Sequence, residues 1–336
     1  MVMAKPFPLL IGCILFIAVA AHAAAPVTTN SNGGSLFQFK FDPNKPLTYA
    51  VEIKNSSMND NETGQRSTLT RTTTANRYRV RLTAMGTNAD GTTSVYFEPY
   101  AYEFDYHSTG PGGDIDSYTR NLDVQTRQNG IVMVDTQKGV GMEQWQSLRQ
   151  AVYPHLLSGY MDFDRSGHIV KYEGDLPFID YWQHQLQYTS NLFYIVFPTN
   201  AVAITDTWTN DYNFKTAGPV VFDGNGLAQV WSYTRGPDQA TSNGPAASFT
   251  LYSSTDLKDL TGYTDHLGQR NSVEVPEHVA SMNASFLFDQ KRGCLVSLTE
   301  SESAHEDLNM VIQGNSATGH NESESSISIT LVPPDH

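Results

Sequence analysis

Cysteine is scarce in this chain, with two among 336 residues, Cys13 and Cys294. Cys13 falls in an N-terminal apolar run that reads as a removable targeting segment, so the mature chain keeps one thiol and an intramolecular disulfide is excluded. Basic residues are scarce too, 21 Lys and Arg against 35 Asp and Glu, for a formal charge of -14. Scattered pairs such as Lys291-Arg292 cannot build the clustered cationic surface that tracks phosphates. Nucleic acid is therefore excluded as a partner, and an anionic membrane surface is disfavoured. No stretch after the N-terminal run approaches the roughly 20 apolar residues of a spanning helix, so no transmembrane segment is expected in the mature chain. Charged residues of both signs amount to only 17%, and Thr, Ser, Asn and Tyr supply the polarity instead. That mix suits strands. With 39% hydrophobic and 11% aromatic residues the chain can still bury a sizeable core, which excludes wholesale disorder.

The targeting segment has three parts: Lys5, an apolar run over 9–21, and the small-x-small site Ala21-His22-Ala23. Cleavage after Ala23 predicts an extracytoplasmic protein, periplasmic or secreted, that begins at Ala24. Leu10-Ile11-Gly12-Cys13 has the composition of a lipoprotein cleavage box. A lipoprotein is disfavoured because Cys13 lies inside the apolar run and 14–21 would become the mature N-terminus. Cys294 alternates with Val296 and Leu298 onto one strand face and reads as a buried small hydrophobe. One unpaired thiol in an exported chain fits a bacterial envelope.

Along the chain, 24–35 reads as a flexible tether, 36–138 as an N-terminal strand-rich half, 139–198 as a helical insert holding a hairpin at 161–172, and 199–333 as a C-terminal strand-rich half. Period-2 alternation marks strands at Leu36-Phe37-Gln38-Phe39-Lys40-Phe41, at Tyr49-Ala50-Val51-Glu52-Ile53 and at Tyr78-Arg79-Val80-Arg81-Leu82. Asn88-Ala89-Asp90-Gly91 is a turn. Met142, Trp145, Leu148, Val152 and Leu156 recur at helical spacing over 141–158, and Ile179, Trp182 and Leu186 do so after the Asp175-Leu176-Pro177 cap. Ser190 can cap one further turn before Pro198. The fold class expected is mainly β: antiparallel curved sheets, as a sandwich or half-barrel, in two strand-rich halves with two or three short helices in the middle.

Two segments share a pattern, Phe163-Asp164 leading to Gly167 and Phe288-Asp289 leading to Gly293. Each reads as a strand, an Asp-braced turn closed by Gly, and a second strand. With the opening strands, the Asp175-Leu176-Pro177 helix, the Phe197-Pro198 stop and Asp206-Thr207-Trp208, the chain resembles exported bacterial β-rich proteins of unknown function. Thr205 here takes the place of an expected turn glycine before Asp206. The resemblance implies export and a strand-rich fold, and brings no catalytic residues. At the level of fold alone it is similar to the curved sheets of periplasmic lipoprotein carriers.

The sequence holds no nucleotide-binding glycine pattern, no His-Glu-x-x-His, no Gly-x-Ser-x-Gly and no Cys-x-x-Cys, so neither a cofactor nor a metal site is expected. His305-Glu306-Asp307 is set aside as a metal site because neighbours on a strand point to opposite faces. The candidate binding residues are Tyr100, Tyr102, Phe104 and Tyr106, which would line one strand face while Glu103, Asp105 and His107 share the other. Burial in the core is the bland reading of such a row. The functional reading is a groove for a lipid chain or a sugar. The protein is accordingly expected to be a non-enzymatic envelope protein that binds an apolar or amphipathic ligand or another envelope component. The alternative is a carbohydrate-binding or carbohydrate-active protein.

Overall fold

Alternating segments become strands here on an unusual length scale. The computed structural model describes residues 34–63, 66–121, 123–143, 158–174, 195–214, 216–217, 220–223, 227–266, 269–312 and 315–333. Three long strands come first, Leu47–Thr63 (β1), Arg66–Thr87 (β2) and Thr93–Thr109 (β3), followed by Ile115–Arg120 (β4), Asp123–Gln128 (β5) and Ile131–Asp135 (β6). The middle holds Gly159–Phe163 (β7), Ile169–Gly174 (β8), Thr207–Phe214 (β9), Thr216–Ala217 (β10), Val220–Phe222 (β11), Leu227–Arg235 (β12) and Gln239–Thr241 (β13). Four long strands close the chain: Gly244–His266 (β14), Gln269–Asp289 (β15), Cys294–Ile312 (β16) and Asn315–Val332 (β17). At about 3.3 Å per residue, a 23-residue strand such as β14 runs roughly 70 Å.

The two strand-rich halves join into one sheet, which corrects the expectation of separate curved sheets in a sandwich or half-barrel. β1 pairs antiparallel with β2 on one side and with β17 on the other, from Thr48↔Val332 to Thr63↔Ala317. Through that seam the order runs β8-β7-β3-β2-β1-β17-β16-β15-β14-β12-β9, antiparallel throughout. Among the described residues the sheet stays open. Sequence patterning finds strands but cannot find partners, and the seam joins residues 254 to 284 positions apart. The two or three mid-chain helices are also corrected. Among the described residues the helical positions are a 3-10 turn at Thr136–Lys138 and Met142 and Glu143, and most of both helical segments, 144–157 and 175–194, lies outside the described residues, as do the targeting run and most of the tether.

One face of the sheet is apolar along its lower half. Tyr49, Val51 and Ile53 of β1 stand beside Val80 and Tyr78 of β2 and Ile329 and Ile327 of β17, all buried. Aromatic rings complete this core: Phe197 lies 4.8 Å from Phe288, Phe249 stacks on Phe286 at 4.8 Å, and Trp208 stacks on Tyr233 at 5.0 Å. Offset and edge contacts at these separations are the favoured aromatic arrangements.

The expected strand at 36–41 forms no ladder. It is an extended strap held at its backbone by the two Asp-Gly turns, with Phe39 N donating to Arg165 O at 3.0 Å and Lys40 N to Gly293 O at 2.9 Å. Its Phe37 enters the core, 5.1 Å from Phe249. Both turns are built as their sequences predict. Asp164 Oδ1 accepts from the amides of Ser166, Gly167 and His168, and Asp289 Oδ1 accepts from Arg292 N. Gly293 has a φ of 66°, and a Cβ there would come within 2.5 Å of Lys40 Cγ. Glycine is therefore required both for the turn and for the strap.

Candidate functional site

The aromatic row of β3 is divided by a bulge. Ala101 adopts a φ of 52°, and the β2–β3 register shifts between Arg77 and Arg79. The extra residue turns Tyr100 to the outer face opposite Arg79, where the Arg81 guanidinium lies 5.2 Å from its ring. Tyr102, Phe104 and Tyr106 stay on the inner face, their centroids 6.5 and 6.3 Å apart. Tyr102 is 1% exposed and donates to Asn76 Oδ1 at 2.8 Å. Phe104 packs against the core. Thr72 Oγ1 and Ser108 Oγ pair at 3.3 Å in the buried ground beyond, where Tyr106 is pushed to a raised phenol pKa chiefly by burial. Glu103, Asp105 and His107 occupy the outer face, as the period-2 reading expects.

That outer face carries the cavity. A trough of about 850 Å³ crosses β4, β3, β2, β1, β17, β16 and β15. Its walls alternate with inward residues on every strand: Lys54 and Ser56, Asp105 and His107, Asp116 and Tyr118, Ser301 and Ser303, and Ser281 and Asn283. Small hydroxyl and amide side chains dominate. Ser281 Oγ and Ser303 Oγ meet across β15–β16 at 3.0 Å. Tyr118 stands at one end, 43% exposed. Beyond the other end Tyr252 of β14 sits directly opposite Asn283, 51% exposed. Two open tyrosines thus flank a hydroxyl-rich floor.

Lys54, Asp105, His107 and Asp116 at the trough are each paired with a neighbour, while Glu324 of β17 adds an exposed carboxylate to the wall. Lys54 Nζ lies 3.0 Å from Glu52 Oε2, and Arg77 reaches Glu52 at 2.9 Å and Asp105 at 2.8 Å. The hydrogen bond from Lys54, reinforced by Arg77, holds the Glu52 carboxyl below its ordinary range. His107 Nδ1 lies 2.7 Å from Asp116 Oδ1. Asp105 is thus engaged by Arg77 and Asp116 by His107.

Behind the trough, the inner face is polar where the lower half is aromatic. His278 is 0% exposed, with Nδ1 3.4 Å from Glu306 Oε1. Burial raises the pKa of the Glu302 carboxyl, which accepts from Ser325 Oγ at 3.4 Å. Sequence reasoning missed both the trough and this cluster. Ser and Thr on strands carry no spacing signal of their own, and the register that aligns them was not legible.

No known family profile matches the sequence, and no curated protein matches it. Among solved structures, lipovitellin, from a study of its lipid-protein interactions, is similar at a TM-score of 0.44 with 11% identity. The match covers 88% of this chain and 26% of that one, so the chain spans about a quarter of that protein's length. The translocator domain of the autotransporter NalP from Neisseria meningitidis is similar at a TM-score of 0.16 with 9% identity, over 85% of this chain and 90% of that one. The CymD monoaromatic hydrocarbon channel gives 0.16 and 10%, over 86% and 90%.

Proposed function

We propose that this is an exported, non-enzymatic binding protein whose outer trough holds a neutral glycan chain. One observation carries the reading: a trough of about 850 Å³ whose lining includes Ser56, Thr73, Ser281, Asn283, Ser301 and Ser303, with exposed Tyr118 at one end and exposed Tyr252 beyond the other. A sugar presents hydroxyls that both donate and accept, and apolar ring faces between them. Ser, Thr and Asn match the first requirement, and an exposed tyrosine ring with its polar tip matches the second. The formal charge of -14 disfavours an acidic polysaccharide. The groove that the sequence placed on the aromatic row is thus moved to the opposite face of the same strand, beside Asp105. An apolar ligand on the inner face finds Tyr102 and Phe104 already packed into the core.

Calorimetric titration of the chain with soluble neutral oligosaccharides of four to eight units tests the proposal. Binding that lengthens with the oligomer is expected, because an open trough adds contacts with each unit. Equal binding of monosaccharides and long oligomers would speak against an extended site, and retention of acyl chains with no glycan bound would replace the reading with an apolar ligand.

A further inference from the structure

On the same outer face, beyond the trough, β16 and β17 bring two histidines and a carboxylate together. His305 and Asp307 lie two apart on β16 and so share a face, while Glu306 between them turns inward and is buried. Asp307 stands directly opposite His320 of β17. The imidazoles lie 4.6 Å apart, edge to face. Asp307 Oδ1 is 2.9 Å from His320 Nδ1 and 3.9 Å from His305 Nε2. The three donor atoms all lie within 4.8 Å of one another, the one such group of His, Cys, Asp and Glu among the described residues.

We propose that His305 Nε2, Asp307 Oδ1 and His320 Nδ1 form a binding site for a divalent transition metal of the zinc type. Donors about 2.0–2.2 Å from a tetrahedral ion stand roughly 3.4 Å apart. The observed 2.9 and 3.9 Å bracket that value, so small rotations of three half-buried side chains close the site. Imidazole nitrogen with one carboxylate oxygen suits zinc, copper or nickel, whereas calcium and magnesium ask for an all-oxygen shell. A carboxylate also stands behind one of the ligands. Glu322 Oε1 lies 3.5 Å from His320 Nε2, the nitrogen that faces away from Asp307, whereas Glu277 Oε2 lies 3.8 Å from His305 Nε2, the proposed donor itself, and so is no support behind that ring. A carboxylate behind a histidine ligand fixes the ring and raises its basicity. Three protein ligands leave a fourth position open to water. The inference stands independently of the glycan reading, since none of these three residues lines the trough.

Dialysis of the full chain against Zn²⁺ with metal quantified by mass spectrometry, together with the visible spectrum of the Co²⁺ form, tests the site. One ion per chain is expected, with Co²⁺ bands of tetrahedral intensity. His320→Ala and Asp307→Ala should each lower Zn²⁺ affinity by at least about 100-fold, and Glu322→Gln by about 10-fold, the lower end of the range for residues that support a ligand. His107→Ala, which removes the other outer-face His-Asp pair, should leave affinity unchanged. Circular dichroism of each variant shows that the sheet is retained. Sub-stoichiometric Zn²⁺, or Zn²⁺ binding that survives both His305→Ala and His320→Ala, overturns the proposal.

Discussion

Tyr102 of β3 donates its hydroxyl to the amide oxygen of Asn76 on β2 at 2.8 Å, and both side chains are buried. The bond offsets the desolvation cost of carrying a polar tip into the core, since the hydroxyl and the amide oxygen are paired. Tyr102→Phe should cost about 1–2 kcal/mol, because the Asn76 oxygen is then buried without its donor. Tyr102→Ala should cost about 3–5 kcal/mol through the cavity it leaves. Urea unfolding of both variants checks the order, and a Tyr102→Phe variant as stable as the wild type would mean that the hydroxyl contributes nothing.

Thr205 holds a φ of 76° in an exposed turn that Asp206 N closes on Ala203 O at 3.1 Å. A β-branched residue in the left-handed region is strained, and glycine is not. Thr205→Gly should stabilise the protein by about 1 kcal/mol, after the added freedom of glycine in the unfolded chain is deducted. A lower melting temperature for the glycine variant would show that the strain is absent in solution.

Glu302 gives a pH dependence with a definite sign. Its carboxyl pKa is raised, first by burial, so the folded state holds this proton at pH values where the unfolded state has lost it. Its contribution to stability is therefore present at low pH and falls as pH rises from the ordinary glutamate range, about 4.3, through the raised folded value. Glu302→Gln removes that loss. The variant should gain on the wild type as pH increases from 4 to 8, and a stability difference that stays constant across that range would contradict the assignment.

Burial pushes the Cys294 thiol up to about 11, and the side chain is enclosed. At pH 7.5 the folded protein should resist iodoacetamide, while denaturant should expose one reactive thiol per mature chain. Rapid labelling of the native protein would mean that β16 opens near its start.

Much of this architecture was written in local pattern. The strands at Tyr49 to Ile53 and Tyr78 to Leu82, the turn at Asn88 to Gly91 and the Asp164 and Asp289 turns follow from period-2 alternation and from Asp-Gly chemistry. The position of Thr205 as a glycine site was readable too. The β1–β17 seam was not, because pairing is decided by the whole sheet rather than by either strand. The same gap hid both sites. His305, Asp307 and His320 are unremarkable until the register sets the last two opposite each other, and Ser281, Ser303 and Asn283 become a wall only when three strands align. The bulge at Ala101 shows the converse. Alternation predicted one row from Tyr100 to Tyr106, and a single extra residue sent Tyr100 to the other side.

Glycan binding in the outer trough stands or falls on oligosaccharide affinity across three single variants: Tyr118→Ala at one end of the trough, Tyr252→Ala beyond the other, and Tyr160→Ala, a similarly exposed tyrosine on β7. All three should fold with melting temperatures near that of the wild type, since exposed side chains contribute little to stability. The trough reading predicts that each end variant weakens binding by about tenfold, roughly 1.4 kcal/mol, while Tyr160→Ala leaves it unchanged. Unaltered affinity in both end variants, or an equal loss in all three, would contradict it.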